Sequence, residues 1–172
     1  MKKYTMKKFQ PFHGVITMIN DFFISKREES AGCYKLISVE NRLGDLVNFI
    51  VGPSTYFVDH VTVSVGDTIT GFYNANAAVP LIFPPQFRAI VIARDVEYQN
   101  VNVDYFNSNL VSSDNKLKLN IEPDTEIVLE NDQDFTKNPA NRNLIVSMEL
   151  LRRVYQLKQR LIKLLLFVKY NI

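Results

Sequence analysis

Residues 67–93, DTITGFYNANAAVPLIFPPQFRAIVIA, contain two apolar segments separated by a proline-rich loop. Both segments, 67–73 and 87–93, are short and rich in β-branched and aromatic residues, which is the composition of β-strands. Gly66 precedes the first segment and Gly71 lies within it. We expect Gly66 to form a turn and Gly71 to permit a tight bend. The stretch therefore predicts a β-protein.

The same pattern extends from this stretch toward the N-terminus. Short apolar runs bounded by turn-forming residues predict further strands at 13–19, 33–39, 45–51 and 55–59. No helical period is sustained before Ser147, so we expect no helix in that part of the chain. Five or six strands in about 85 residues suit a small closed barrel of the OB type, although a β-sandwich would use similar strands.

The second half of the chain contains a fainter copy of the first. LVNFIVGPSTYFVD aligns with KLKLNIEPDTEIVLE so that Pro53 falls on Pro123 and Thr55 on Thr125. Farther on, DTITGFY aligns with RNLIVSM at 142–148. Two related β units in tandem are therefore predicted, the second without a counterpart of the closing strand at 87–93.

The tail from residue 147 to residue 172 differs from everything before it. Its apolar residues recur at alternating intervals of four and three, the spacing of one helix face: Leu150, Val154, Leu157, Leu161, Leu164 and Val168. Basic residues occupy other positions. The tail predicts a basic amphipathic helix, suited to a membrane surface, a partner helix or the open edge of the second β unit.

A frameshift near Val146 is a second interpretation of this tail. One permitted choice of codons for Met148 to Val168, read from one nucleotide upstream, gives YGATTKSIPTQTTPYKIIIIC. That peptide is a polar, proline-containing turn followed by a β-branched strand, the element that the first copy has in VPLIFPPQFRAIVIA. On this interpretation the native closing strand was replaced and the tail is unselected.

These patterns divide the chain into four segments within a mainly β fold. We predict a basic N-terminal tail over 1–8, an OB-like β-barrel over 9–98 and a second, incomplete β unit over 99–146. Residues 147–172 form the predicted basic amphipathic α-helix, or the frameshifted tail.

Charge is distributed unevenly along the chain. The formal net charge is +2, yet residues 9–146 contain ten Lys and Arg against 17 Asp and Glu, a balance of −7. An acidic body repels phosphate backbones, so nucleic acid is an unlikely partner for this segment. The alternative function is an OB-fold that binds single-stranded nucleic acid, with five rings as stacking candidates: Tyr34, Phe49, Tyr56, Phe57 and Tyr73.

Targeting signals are not evident in the sequence. No stretch approaches the roughly 20 apolar residues of a bilayer span, and the lysines near the N-terminus precede no apolar run of signal-peptide length. We therefore expect a cytoplasmic protein without a transmembrane segment. Its single cysteine, Cys33, is expected to be a small buried apolar residue.

The sequence contains no recognisable catalytic, cofactor-binding or metal-binding constellation. His13 and His60 lie on separate predicted strands and lack metal-ligand spacing. Asp59 and His60 are adjacent on a predicted strand, so their side chains would point to opposite faces. The carboxylates of residues 122–134 lack the glycine and terminal glutamate of a calcium-binding EF-hand loop. We therefore predict no enzyme and no cofactor.

The most distinctive stretch is the loop NANAAVPLIFPPQF. Its candidate contact residues for a protein partner or a small ligand are Phe83, Pro84, Pro85 and Phe87, with Tyr73 on the preceding strand. They can form a stiff aromatic platform, or they can close the end of the barrel. Loops with several large apolar groups usually bury them, so the structural role is favoured.

The motifs NFIVGPSTYFVD, GDTITGFYNANAAVPLIFPPQF and NPANRNLIV resemble an uncharacterised bacterial protein family with OB-like β units. The resemblance covers roughly residues 10 to 146 and does not extend to the tail. It implies a fold but no activity, substrate or site residue. The expected function is a non-enzymatic β-barrel module, binding or structural, in which an exposed β edge or the C-terminal helix permits oligomers.

Overall fold

The computed structural model describes residues 7–24, 30–153 and 156–166, and within them the chain is folded as β-structure. Two sheets are present, one of seven strands and one of four. The chain divides into two compact units, residues 1–95 and residues 96–172. The mainly β class predicted from the sequence is confirmed. The predicted N-terminal tail lies largely outside the described residues.

The first unit contains the seven-stranded sheet. Its strands are β1 (Phe9–Asp21), β2 (Lys35–Glu40), β3 (Leu46–Val51), β4 (Tyr56–Phe57), β5 (Thr68–Asn74), β6 (Gln86–Arg88) and β7 (Val91–Arg94). Strand β1 is long enough to pair with β5 along its first half and with β2 along its second half. All seven strands overlap the six runs predicted from the sequence, with β6 and β7 sharing the run at 87–93. Each run alternates or concentrates apolar residues between turn-forming ones.

The pairing order of this sheet is β4-β7-β5-β1-β2-β3-β6, which is linear. The predicted closed barrel is therefore not formed as a ring of paired strands. The predicted strand at 87–93 is divided in two and changes its partner midway. Strand β6 pairs in parallel with β3, whereas β7 pairs antiparallel with β5. The Ala89 amide donates to the Ile50 carbonyl at 3.0 Å, and the next amide, that of Ile90, donates to the Phe72 carbonyl at 2.8 Å.

The core of the first unit is formed by buried residues of these strands and by Ala89, which lies between β6 and β7. They are Ile16, Ile37, Val39, Val47, Phe49, Val51, Ile69, Ala89 and Ile92. Phe49 is fully buried, and its ring lies against the backbone of β5 at Gly71. A Cβ atom at Gly71 would lie 2.5 Å from that ring. Gly71 is therefore required for close packing and not for the bend predicted from the sequence. Gly66, with φ of 96°, forms the predicted turn.

The second unit contains the four-stranded sheet. Its strands are β8 (Gln99–Phe106), β9 (Glu126–Leu129), β10 (Arg142–Arg153) and β11 (Gln156–Leu166), in the order β8-β10-β11-β9. Phe106, Leu119, Leu144, Val146 and Met148 form its core. Asp104 is also buried, and its carboxylate accepts hydrogen bonds from the hydroxyl and amide of Ser113 at 2.6 and 3.0 Å.

The predicted C-terminal helix is wrong over its described part. Strand β10 continues to Arg153, and β11 then returns antiparallel to it and parallel to β9. A strand in this position supplies backbone hydrogen bonds to both neighbours, which a helix cannot do. The apolar run of β11 is equally compatible with a buried strand, since periodicity alone does not separate the two. Residues 154–155 and 167–172 of the predicted helix lie outside the described residues.

Among the residues described, no helix has the length and apolar character needed to cross a membrane.

Candidate functional site

An aromatic stack lies at the base of the proline-rich loop. The rings of Tyr73 on β5 and Phe87 on β6 are nearly parallel, with centroids 3.9 Å apart and planes inclined by 12°. The centroid of the Phe49 ring lies 6.2 Å from the centroid of the Tyr73 ring. Tyr73 and Phe87 are both half-buried and pack against the core of the first unit. Burial raises the pKa of the Tyr73 hydroxyl above its usual value, because the phenolate would lose solvation.

Beyond this stack the loop displays three consecutive large apolar side chains, which we call the apolar tip: Leu81, Ile82 and Phe83. Leu81 is fully exposed and Phe83 is 84% exposed. The expectation that the loop buries its large apolar groups is therefore wrong for these residues. It is met only by the half-buried residues at the loop base.

Backbone contacts at both ends of the loop hold its base while leaving the apolar tip outside. At the N-terminal end, the Ala77 amide donates to the Asn74 carbonyl at 3.1 Å. At the C-terminal end, the Asn48 amide on β3 donates to the Pro85 carbonyl at 2.9 Å. Pro84 and Pro85 are half-buried, and their rings restrict the backbone where it enters β6. The apolar tip therefore projects from a stiff support.

The structure brings four of the five predicted site residues together. Tyr73, Phe87, Pro84 and Pro85 lie at the base of the loop, in β5, β6 and the segment before β6. Phe83 belongs instead to the apolar tip. Leu81 and Ile82 were missed, although an apolar run between prolines was the signal that identifies them.

The rings proposed for base stacking are mostly enclosed. Phe49 is fully buried and Tyr56 is buried. Tyr34 and Phe57 are half-buried, and a Cβ atom at Gly52 would lie 2.6 Å from the Tyr34 ring. A base stacks only on a ring face that is open to solvent. The arrangement therefore does not favour a row of stacking platforms.

The remaining chemical groups lie apart from the loop base. His13 Nε2 and Asp95 Oδ2 are 2.7 Å apart on the exposed surface. Asp59 and His60 occupy a 3₁₀ turn with positive φ values of 58° and 52°, so their predicted placement on a strand is wrong. Cys33 is exposed and not buried as predicted, because it lies in the turn before β2. Within the described ranges, no three His, Cys, Asp or Glu residues gather as a metal site would require.

Comparisons of the chain with known protein families, with curated proteins and with solved structures find no match. The resemblance to an uncharacterised bacterial family stays a prediction.

Proposed function

We propose that this chain is a non-enzymatic binding module, and that the apolar tip is the anchor with which it holds a protein partner. The observation that carries the proposal is the exposure of Phe83, which is 84% accessible on a loop fixed by prolines. Aromatic residues that fill a partner's pocket dominate many protein interfaces. Three adjacent apolar groups in solvent are costly unless they serve such a contact.

Preorganisation of the loop supports a binding role. A loop held at Asn74 and Pro85 loses less conformational freedom on association than a free segment would. The apolar tip is exposed to solvent, whereas small-molecule sites are concave and enclose most of their ligand. We therefore place the pocket on the partner and the anchor on this chain, and we favour a protein over a small ligand.

The fold that we propose for the first unit is an OB-type module. Its support is the partner exchange between Ala89 and Ile90, whose consecutive amides donate to β3 and β5 respectively. This segment lies between β3 and β5. In an OB-type barrel the two edges of the sheet are joined at such a place, which we call the seam. The Tyr73–Phe87 stack would then cover the same seam from the side of the loop.

A photo-crosslinking residue introduced at Phe83 tests the proposed function in the cells that express the chain. The matched control carries the same residue at Leu43, which is 89% exposed in the turn between β2 and β3. We expect discrete protein adducts from position 83 and none from position 43. Equal labelling from both positions, or adducts from neither, would contradict the proposal.

A further inference from the structure

One hydrogen-bonded turn occurs in both units. In the first unit the Gly52 amide donates to Thr55 Oγ1 at 3.1 Å, and the Thr55 amide donates back to the Gly52 carbonyl at 3.0 Å. In the second unit the Glu122 amide donates to Thr125 Oγ1 at 3.0 Å, and the Thr125 amide donates to the Glu122 carbonyl at 3.0 Å. A proline follows the first residue in each case.

The strands around these turns also pair alike. In both units a short strand after the turn pairs in parallel with a neighbour, which pairs antiparallel with a third strand and through it with a fourth. One cross-strand row in the first unit consists of Tyr56, Val91, Phe72 and Pro11. The corresponding row in the second unit consists of Glu126, Lys163, Ser147 and Val101.

These rows reproduce the two sequence alignments without using them. Tyr56 corresponds to Glu126, and their residue numbers differ by 70. The numbers of Pro53 and Pro123 differ by the same amount. Phe72 corresponds to Ser147, a difference of 75, which is the difference between the starts of DTITGFY and RNLIVSM. Hydrogen-bond register and residue similarity therefore agree on the same correspondence.

The correspondence fails at the tail. Before it, Ile69 and its counterpart Leu144 are both fully buried. From residue 147 onward, Ser147 takes the place of buried Phe72, and within the described residues its hydroxyl has no hydrogen-bond partner. Lys163 takes the place of buried Val91 and directs its ammonium to Asp132, 3.3 Å away. Polar residues therefore stand at two positions that the first unit fills with apolar ones.

We infer that the two units are copies of one module, and that the chain from residue 148 is read out of the frame in which the second copy was selected. One peptide that the codons permit in the alternative frame, YGATTKSIPTQTTPYKIIIIC, continues the residue-number offset of 75 through the whole missing element. It places a tyrosine at position 148, which aligns with Tyr73, and a second one at position 162, which aligns with Phe87. The next residue is a lysine that aligns with Arg88. Isoleucines occupy positions 164–167 and align with the residues from Ala89 to Ile92.

The inferred second copy is not a second anchor. At the same difference of 75, the apolar tip corresponds to proline, threonine and glutamine in the alternative frame. The two stacked rings of the loop base have aromatic counterparts, Pro84 and Pro85 correspond to threonines, and the counterpart of the tip contains no aromatic residue. The apolar anchor therefore belongs to the first unit alone. The inferred change of frame does not depend on the proposed function, and either can be wrong without the other.

The nucleotide sequence of the gene tests the inference, because the genetic code leaves few choices at the decisive positions. In the shifted frame, the codons of Ser147, Met148, Leu161 and Ile162 allow only Tyr, His, Asn or Asp at positions 148 and 162. At position 163, the codons of Ile162 and Lys163 allow Lys, Gln or a stop. We expect tyrosine at both positions, lysine at 163 and aliphatic residues at 164–167. A stop codon, or another residue at 148 or 162, overturns the inference.

A measurement on the protein supplies an independent test. A full-length chain in which one nucleotide is restored at codon 147 is compared with the present chain by amide hydrogen exchange. We expect slower exchange in β9 and in residues 142–146 of β10 in the restored chain, since a closing strand of isoleucines would pair with them as β7 pairs with β4 and β5. Equal or faster exchange in these strands contradicts the inference.

Discussion

The exposure of single side chains separates two roles that the sequence leaves open. Phe83 and Phe49 are the same residue type, yet the first is 84% exposed and the second is fully buried. Burial depends on where the loop leaves the sheet, and a run of apolar letters does not encode that direction. The sequence therefore predicts a buried tip, whereas the structure exposes it.

Substitution of these two phenylalanines tests the assignment. We expect Phe83→Ala to change the free energy of unfolding by less than about 0.5 kcal/mol, because an exposed ring loses few contacts. The matched Phe49→Ala variant should lose about 3 to 5 kcal/mol, since it leaves a cavity in the core. Urea denaturation measures both values. A loss for Phe83→Ala that approaches the Phe49→Ala loss would place Phe83 in the core.

Two buried serines of the second unit are expected to respond oppositely to the same substitution. Ser147 is 1% exposed, and among described groups its hydroxyl has no partner, so Ser147→Ala should stabilise the chain by about 1 kcal/mol. The Ser112 hydroxyl donates to Asp114 at 2.6 Å and accepts from the Leu117 amide at 2.9 Å. Ser112→Ala should therefore destabilise it, and thermal melts that move in the same direction would refute the difference.

At the scale of elements, local composition predicted where strands occur but not how they pair. The six runs before residue 94 were found because their apolar residues lie between turn-forming ones. The partner exchange at Ala89 was not predictable, because it depends on the positions of β3 and β5. The helix prediction for the tail is wrong for a different reason. A 4-3 apolar spacing fits a helix, but the residues of the tail do not show that β9 and β10 need a strand to pair with.

Close approach of β5 to Phe49 gives a prediction about this packing. Gly71→Ala should destabilise the first unit by about 1 to 3 kcal/mol, because the added methyl group would lie 2.5 Å from the Phe49 ring. Phe49→Leu in the same chain removes that clash. A double-mutant cycle should therefore give less than additive losses. Additive losses would show that Gly71 acts through something other than Phe49.

At the scale of the whole molecule, charge and ring exposure bear on the alternative function. The acidic segment 9–146 and the basic tail have opposite sign. The buried rings of Phe49 and Tyr56 offer no face to a base, whereas the tail concentrates Arg152, Arg153, Lys158 and Arg160. Any affinity of the full chain for single-stranded DNA should therefore be electrostatic and reside in the basic termini, which are residues 1–8 and the C-terminal tail.

Salt dependence distinguishes this origin from base stacking. Replacement of the four tail cations by glutamine should lower the slope of log affinity against log salt by up to about 3, since each phosphate contact on a single strand contributes about 0.7. Tyr73→Leu in the first unit should leave both affinity and slope unchanged, because the Tyr73 ring is already stacked on Phe87. Fluorescence anisotropy with a labelled oligonucleotide at several salt concentrations measures both quantities. If Tyr73→Leu instead lowered affinity at every salt concentration while the glutamine variant kept its slope, the bases would be stacking on the first unit, and the OB-fold nucleic-acid function would replace the anchor proposed for the loop.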